Sequence, residues 1–253
     1  MSTVISTSDS QAIVKRVYRA FFGPSKYEVK STDQAILARG KNTRIPFEGG
    51  ELAVTTWGDG PAVLLMHGWG GARAQMAGFV DPLLEAGYRV VAVDQPAHAE
   101  SDGKGTNLLE IAPTMDLIAQ QEGSFHAIIA HSFGTLITSY ALVKRNFPPP
   151  ARLVYFGSFN RLMDSLPRFQ VLAGLPDEII EELRAMIYEN FGQEVLESIT
   201  NESLTPQINI PALMFHDTAD NVTPIDDSRA IASLEKRAVN RDGRIKSQRR
   251  FAV

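Results

Sequence analysis

"HAIIAHSFGTLIT", residues 126–138, runs from an apolar stretch into a helix-forming one through a single serine, Ser132. A short apolar run bounded by turn signals suits a strand buried on both faces. The residues that follow, "FGTLITSYAL", suit a helix. Ser132 therefore lies on a sharp strand-to-helix turn, with its side chain directed up and out of the sheet. So tight a backbone needs small neighbours. Ala130 and Gly134, two residues to either side, supply them in an A-x-S-x-G arrangement, where G-x-S-x-G is the usual form. The helix after the serine aims its first N–H groups and the positive end of its dipole at the site, which favours a developing oxyanion.

Similar apolar runs recur along the chain: "AVLLM" (62–66), "RVVAV" (89–93), "RLVYF" (152–156) and "ALMF" (212–215). Helical stretches separate most of them, at about 75–86, about 106–121 with a break at Pro113, and about 133–145. This alternation predicts a mostly parallel sheet with helices on both faces. Ahead of it, "TRIPF" and "ELAVTTW", joined by "EGG", read as an antiparallel hairpin. Residues 10–22 read as an amphipathic helix with Ile13, Val14, Val17 and Phe21 on one face and Lys15, Arg16 and Arg19 on the other. Packing on the body of the domain is the expected role of that helix, rather than a membrane surface.

The rhythm changes over 160–205, where "PDEIIEELRAMIYENF" carries Ile180, Leu183, Ile187 and Phe191 at helical spacing. A helical cap over the carboxyl edge of the sheet is expected there. Phe159, Leu162, Leu166, Phe169 and Leu172 would either line an apolar pocket or pack the cap on the body. Residues 235–253 carry Lys236, Arg237, Arg241, Arg244, Lys246, Arg249 and Arg250 against Glu235 and Asp242, and read as a solvated basic tail. The chain thus divides into an N-terminal helical extension (1–39), a main α/β domain (40–234) and that tail.

Composition excludes several classes of function. The absence of cysteine removes disulfides, thiolate metal sites and a cysteine nucleophile. The net charge of −4 gives no footprint for nucleic acid. No apolar run approaches the roughly 20 residues of a membrane span, and "MSTVISTSDSQ" lacks the features of a signal peptide, so a cytoplasmic protein is expected. "SDGKGT" (101–106) lacks phosphate-loop spacing, and no metal-ligand cluster is visible.

"HGWGG", "DQPAHAESDG", "AHSFG" and "HDTADNVTP", in this order, resemble the α/β-hydrolase superfamily over roughly residues 40–234. The likeness is to bacterial single-domain serine hydrolases with a helical cap. It implies an α/β-hydrolase fold and carboxylesterase-like hydrolysis of an ester or related acyl bond in a small-molecule substrate, without a cofactor. It also implies that Ser132 is the nucleophile, that the backbone N–H groups of Trp69 and Phe133 form the oxyanion hole, and that Asp220 is the acid, with Asp217 the less favoured choice. A serine at 132, rather than an aspartate, argues against dehalogenation.

The base is the gap. In such a family a histidine follows the acid by about 25–30 residues, a window that here reads "IKSQRR" (245–250). His67, His98, His126, His131 and His216 all precede Asp220. Three explanations stand: an end altered by frameshift or truncation, a member that no longer hydrolyses and only binds a ligand or partner, or a relocated base. For the last, His98 lies on a loop at the correct edge of the sheet. His131 adjoins Ser132, but strand alternation is expected to turn it away. His216 belongs to a strand end, and His67 to the oxyanion loop.

Overall fold

The computed structural model describes residues 7–25, 27–145 and 147–233; the predicted basic tail lies outside them. Seven strands form one sheet: β1 Lys41–Phe47, β2 Gly50–Trp57, β3 Ala62–Met66, β4 Arg89–Val93, β5 Ala127–His131, β6 Arg152–Phe156 and β7 Ala212–Phe215. Their order is β1-β2-β4-β3-β5-β6-β7. The hairpin β1–β2 is antiparallel, β2 joins β4 antiparallel, and the pairs from β4 through β3, β5 and β6 to β7 are parallel. The predicted α/β architecture is the one observed.

The helices are α1 Thr7–Phe22, α2 Ser31–Ala38, α3 Val80–Glu85, α4 Leu108–Glu122, α5 Phe133–Lys144, α6 Ser165–Ala173, α7 Asp177–Phe191, α8 Gln193–Ser198, α9 Asn201–Leu204 and α10 Ile225–Ser233. Alternation along the central strands distributes the core. Leu64 and Met66 of β3 pack on one face with Ile128, Leu136 and Tyr155. Val63 and Leu65 pack on the other with Val80, Val90 and Ile129. Among the described residues no helix is long and apolar enough to cross a membrane.

Three local expectations are corrected. The helix expected near 75–86 is a 3-10 segment, Arg73–Phe79, that runs into the short α3. No break occurs at Pro113, because α4 runs straight through it. Asn107 caps its start by accepting from Leu109 N and Glu110 N, and buried Ile111, Met115 and Ile118 tie the helix to the core around the one hydrogen bond the proline removes. On α1, Ile13 is exposed, and the buried side is Val14 with Val17, Tyr18, Phe21 and Phe22. Helix α2 had no counterpart in the sequence pattern.

The cap folds as α6–α9 with 3-10 turns at both ends. Its core is Leu166, Ile180, Leu183, Ile187 and Leu196, and Val17, Tyr18, Phe21 and Phe22 of α1 pack against it. The N-terminal helix is thus joined to the cap.

Under the sheet edge lies a buried charge cluster. The Arg73 guanidinium pairs with Asp94, its Nε donates to Thr55 Oγ1 at 2.8 Å, and it reaches Glu100 at 2.7 Å. Asp94 also accepts the backbone N–H groups of Arg73 (2.6 Å) and Glu100 (3.1 Å). The cluster locks the segment after β3 to the segment after β4. Removing one member of a buried pair leaves the other charge without compensation. Asp94→Ala is expected to lower unfolding free energy by about 3–5 kcal/mol in urea titrations. Asp81→Ala, which breaks the half-exposed pair with Arg39, should cost less than about 1 kcal/mol.

Candidate active site

Strands β3 and β5 flank the point where strand order reverses, and crevices for ligands open at the carboxyl ends of such strands. Ser132 stands there, between β5 and α5, with φ +51° and ψ −122°. Only three non-glycine residues have positive φ among the described residues, Ala97, Ala99 and Ser132. Packing holds the serine in this conformation. Its N–H donates to Phe156 O at 2.9 Å. A β-carbon on Gly134 would lie 2.6 Å from His67 O and 2.9 Å from Met66 O, so only glycine lets α5 start this close to the end of β3. A β-carbon on Gly68 would lie 2.9 Å from Ser132 Cβ, so the loop after β3 also passes directly against the serine.

His67 shapes that loop. Its Nδ1–H donates to Gly68 O at 2.7 Å, and its Nε2 accepts from Gln95 N at 3.1 Å. The Gln95 side chain returns a bond to His67 O at 2.6 Å. Trp69 follows, its ring edge-on to Phe133 (5.6 Å) and to His98 (5.2 Å). Phe133 opens α5, where first-turn N–H groups have no acceptor within the helix.

Ser132, Trp69 and Phe133 line a cavity of about 590 Å³. Phe159, Leu162, Phe169 and Leu172 of the cap segment line it too, whereas Leu166 is buried in the cap core. Phe21 and Phe22 of α1 complete the wall. That contribution escapes sequence reading, because nothing local ties residues 21–22 to Ser132. Arg168 brings a cation to the wall, stacked 4.5 Å over Phe159 and paired with Asp227 at 2.8 Å.

Asp220 occupies the turn after β7. Its Oδ1 accepts from Val222 N and Thr223 N, both at 2.8 Å, and those two residues line the same cavity. Its Oδ2 faces Gly157, at the end of β6. Asp217 is exposed and builds the turn, its Oδ1 accepting from Ala219 N at 2.9 Å and its carbonyl from Asp220 N at 3.1 Å.

The histidines differ in what their nitrogens do. His216 donates Nε2–H to Thr223 O and accepts at Nδ1 from Ser228 Oγ, each at 2.6 Å, so both nitrogens are engaged. His67 is likewise fully engaged. His126 stacks on Tyr88 at the opposite end of β5. His98 donates Nδ1–H to Pro96 O at 2.9 Å and keeps a buried Nε2 without a partner. His131 keeps a buried Nδ1 without a partner. His131 is not among the residues that line the cavity. Its ring lies over the carboxyl edge between Gly68 and Gly157, near Ser132 on one side and Asp220 on the other. His131 is the last residue of β5 and pairs with Phe156, and the chain leaves the pleat only at Ser132.

The sequence matches the α/β hydrolase family over residues 52–242. The chain belongs to the α/β hydrolase family. No curated protein matches it significantly. Several solved α/β hydrolases share the fold. An esterase of Pyrococcus furiosus is 19% identical, with 85% of this chain and 83% of that one aligned at a TM-score of 0.61. An esterase of Exiguobacterium antarcticum is 18% identical over 76% and 87% of the two chains, at 0.57. The thioesterase domain from the curacin biosynthetic pathway is 16% identical over 77% and 89%, at 0.56.

Two outcomes test this geometry. Strained conformations of this kind cost about 1–3 kcal/mol and cluster at functional sites. Ser132→Gly is therefore expected to raise unfolding free energy by about 1 kcal/mol, after the loss from glycine's greater unfolded-state freedom. Ser132→Ala, which keeps the β-carbon, should give no such gain; equal stabilities for the two variants would contradict the strain. The second outcome concerns acid. Burial pushes His67 and His98 down to about 4. An unfolded histidine takes up its proton near 6.5, so from about pH 6.5 to 4 the unfolded chain binds more protons than the folded one. Stability should therefore fall as pH drops through this window, by up to roughly 3 kcal/mol for each buried histidine. Urea titrations at pH 7.0 and 4.5 measure it, and His98→Gln should flatten the slope.

Proposed function

We propose that this α/β hydrolase cleaves an ester or related acyl bond of an apolar small molecule, with Ser132 as nucleophile. One observation carries the reading: a serine held at positive φ, between a buried strand and a helix N-terminus, opens into a walled apolar cavity. The serine Oγ attacks the acyl carbon. The carbonyl oxygen takes the negative charge toward the N–H groups of Trp69 and Phe133, which are the oxyanion donors in this reading. Asp220 is the acid in this reading, since its Oδ1 is tied to its own loop while its Oδ2 faces Gly157 and lies 3.8 Å from His216 Nε2, whereas Asp217 faces solvent.

The cavity wall suggests the substrate. Phe21, Phe22, Phe169, Leu172 and Phe191 surround it with apolar surface, which suits an acyl chain longer than acetyl. The solved esterases and the thioesterase domain share this scaffold and are consistent with acyl-bond cleavage. A second reading, a ligand-binding protein without turnover, draws on the lack of any histidine between Asp220 and residue 253.

Hydrolysis of p-nitrophenyl esters of increasing length separates the two. Burial of a methylene is worth about 0.8 kcal/mol, so kcat/KM should rise about fourfold per methylene until the cavity is filled. Ser132→Ala should abolish turnover, and Phe169→Ala should reduce the gain for long chains. A folded chain that binds these esters but gives no serine-dependent p-nitrophenol would support the second reading.

A further inference from the structure

His131 is a half-buried histidine that the proposed reaction leaves unused. Three observations bear on it. First, its Nδ1 is buried and has no partner, although an unpaired buried nitrogen costs free energy. Second, a single point, where a β-carbon on Gly68 would sit, lies 3.3 Å from His131 Nδ1 and 2.9 Å from Ser132 Cβ. The two side chains therefore converge on one spot, although consecutive residues of a regular strand point to opposite faces. The positive φ of Ser132 is what breaks the alternation. Third, the matching point on Gly157 lies 3.5 Å from Asp220 Oδ2 and 3.9 Å from His131 Nε2. The ring thus lies between Gly68 and Gly157, with Nδ1 on the Gly68 side and Nε2 on the Gly157 side.

We propose that His131 is the general base of this chain, oriented by Asp220 at Nε2 and receiving the Ser132 proton at Nδ1. This rests on the reading of Ser132 as nucleophile. The remaining histidines are less suited. His67 and His216 have both nitrogens engaged, and His126 stands at the far end of β5. His98 has a free Nε2, but its Nδ1–H is spent on Pro96 O rather than on an acid.

The protonation states fit the role. With Nε2–H directed at Asp220 Oδ2, Nδ1 keeps its lone pair. Burial lowers the His131 pKa and Asp220 partly offsets this, while the His67 ring is the other titratable group that senses its charge. The imidazole is therefore neutral, and able to accept a proton, at neutral pH. As Oγ bonds to the acyl carbon, the hydroxyl proton passes to Nδ1 and the carbonyl electron pair moves onto oxygen. Collapse re-forms the carbonyl, breaks the bond to the alkoxy group and returns the proton from Nδ1 to the departing alcohol. Water then repeats the sequence on the acyl-enzyme and releases the acid. Asp220 Oδ2 lies 3.8 Å from His216 Nε2 and forms no direct ion pair with His131 among the described residues, so the contact with His131 has to tighten when substrate excludes water, as catalytic hydrogen bonds often do.

The test uses the full 253-residue chain, p-nitrophenyl butyrate, and the rate at which a fluorophosphonate labels Ser132. His131→Gln is expected to lower kcat and labelling by about 10²–10⁴-fold, with KM nearly unchanged. Asp220→Asn should lower both rates less, and the double variant should be no slower than His131→Gln, because the two residues act as one unit. Imidazole in the buffer should restore part of the turnover of His131→Gly, which loss of a merely structural ring would not allow. Should the Gln variant fail to fold, His131→Asn and the Gly rescue carry the same test. His126→Gln should match the parent chain. Serine-dependent turnover that survives in His131→Gln, or that is lost in His98→Gln instead, overturns the assignment of His131 while leaving Ser132 as nucleophile. No serine-dependent turnover or labelling in the unmutated chain overturns both.

Discussion

The constraint on which the site depends is the close approach of three backbone segments at the carboxyl edge of the sheet. The start of α5 presses on the end of β3 at Gly134, the loop after β3 presses on Ser132 at Gly68, and the end of β6 faces the acid turn at Gly157. Hydrogen bonds carry the sheet ladder past the strand ends, from Ser132 N to Phe156 O and from Gly157 N to Phe215 O, each at 2.9 Å. The turn after β5 is thereby coupled to the turn after β7, which holds Asp220. Ser132 does not choose its strained conformation; the packing of β3, β5 and α5 imposes it. Strain persists only where the surroundings over-determine it.

Around that edge, buried polar groups serve position more than reaction. His67 and Gln95 bind each other's backbone across the loops after β3 and β4, and the Arg73–Asp94 pair fastens the same two segments one layer below. Neither set is exposed to the cavity. They fasten the segment around Trp69 beside Ser132, as the proposed oxyanion hole would require. The cap works on a different scale. Its helices share an apolar core with α1, so the cavity wall unites the first described helix with residues more than a hundred positions away. In the proposed reaction, exclusion of water from the acyl bond would depend on that assembly.

Much of the fold was legible because burial on both faces leaves a plain mark on sequence. "AVLLM", "RVVAV", "RLVYF" and "ALMF" coincide with β3, β4, β6 and β7; β3 and β4 are buried on both faces and so need apolar residues almost throughout, whereas β7 alternates, with Leu213 and Phe215 exposed. Pro113 misled because local propensity was outweighed by core contacts on the residues around it. Helix α2 left little trace, since only Leu37 of its eight residues is buried and it has no strong apolar stripe. For the proposed site, the strand-to-helix turn marked Ser132, while Trp69, Phe133 and Asp220 were assigned through the family resemblance. The reach of Phe21 and Phe22 into the cavity was not legible, because a contact at such sequence distance has no local signature.

The histidines divide the two kinds of information most clearly. Sequence by itself determined that a serine stands on a strand-to-helix turn, that an acid follows the last described strand, and that all five histidines come before that acid. It led to the expectation that strand alternation turns His131 away from the site, and said nothing of how near its ring comes to Gly157. Tertiary structure decided that His131 lies between Gly68 and Gly157, with Nδ1 near the first and Nε2 near the second. The physical reason is that a side chain's direction at a strand end is set by the backbone dihedrals of the turn and by the neighbouring strands that close over it. Neither is written in the spacing of residues along the chain.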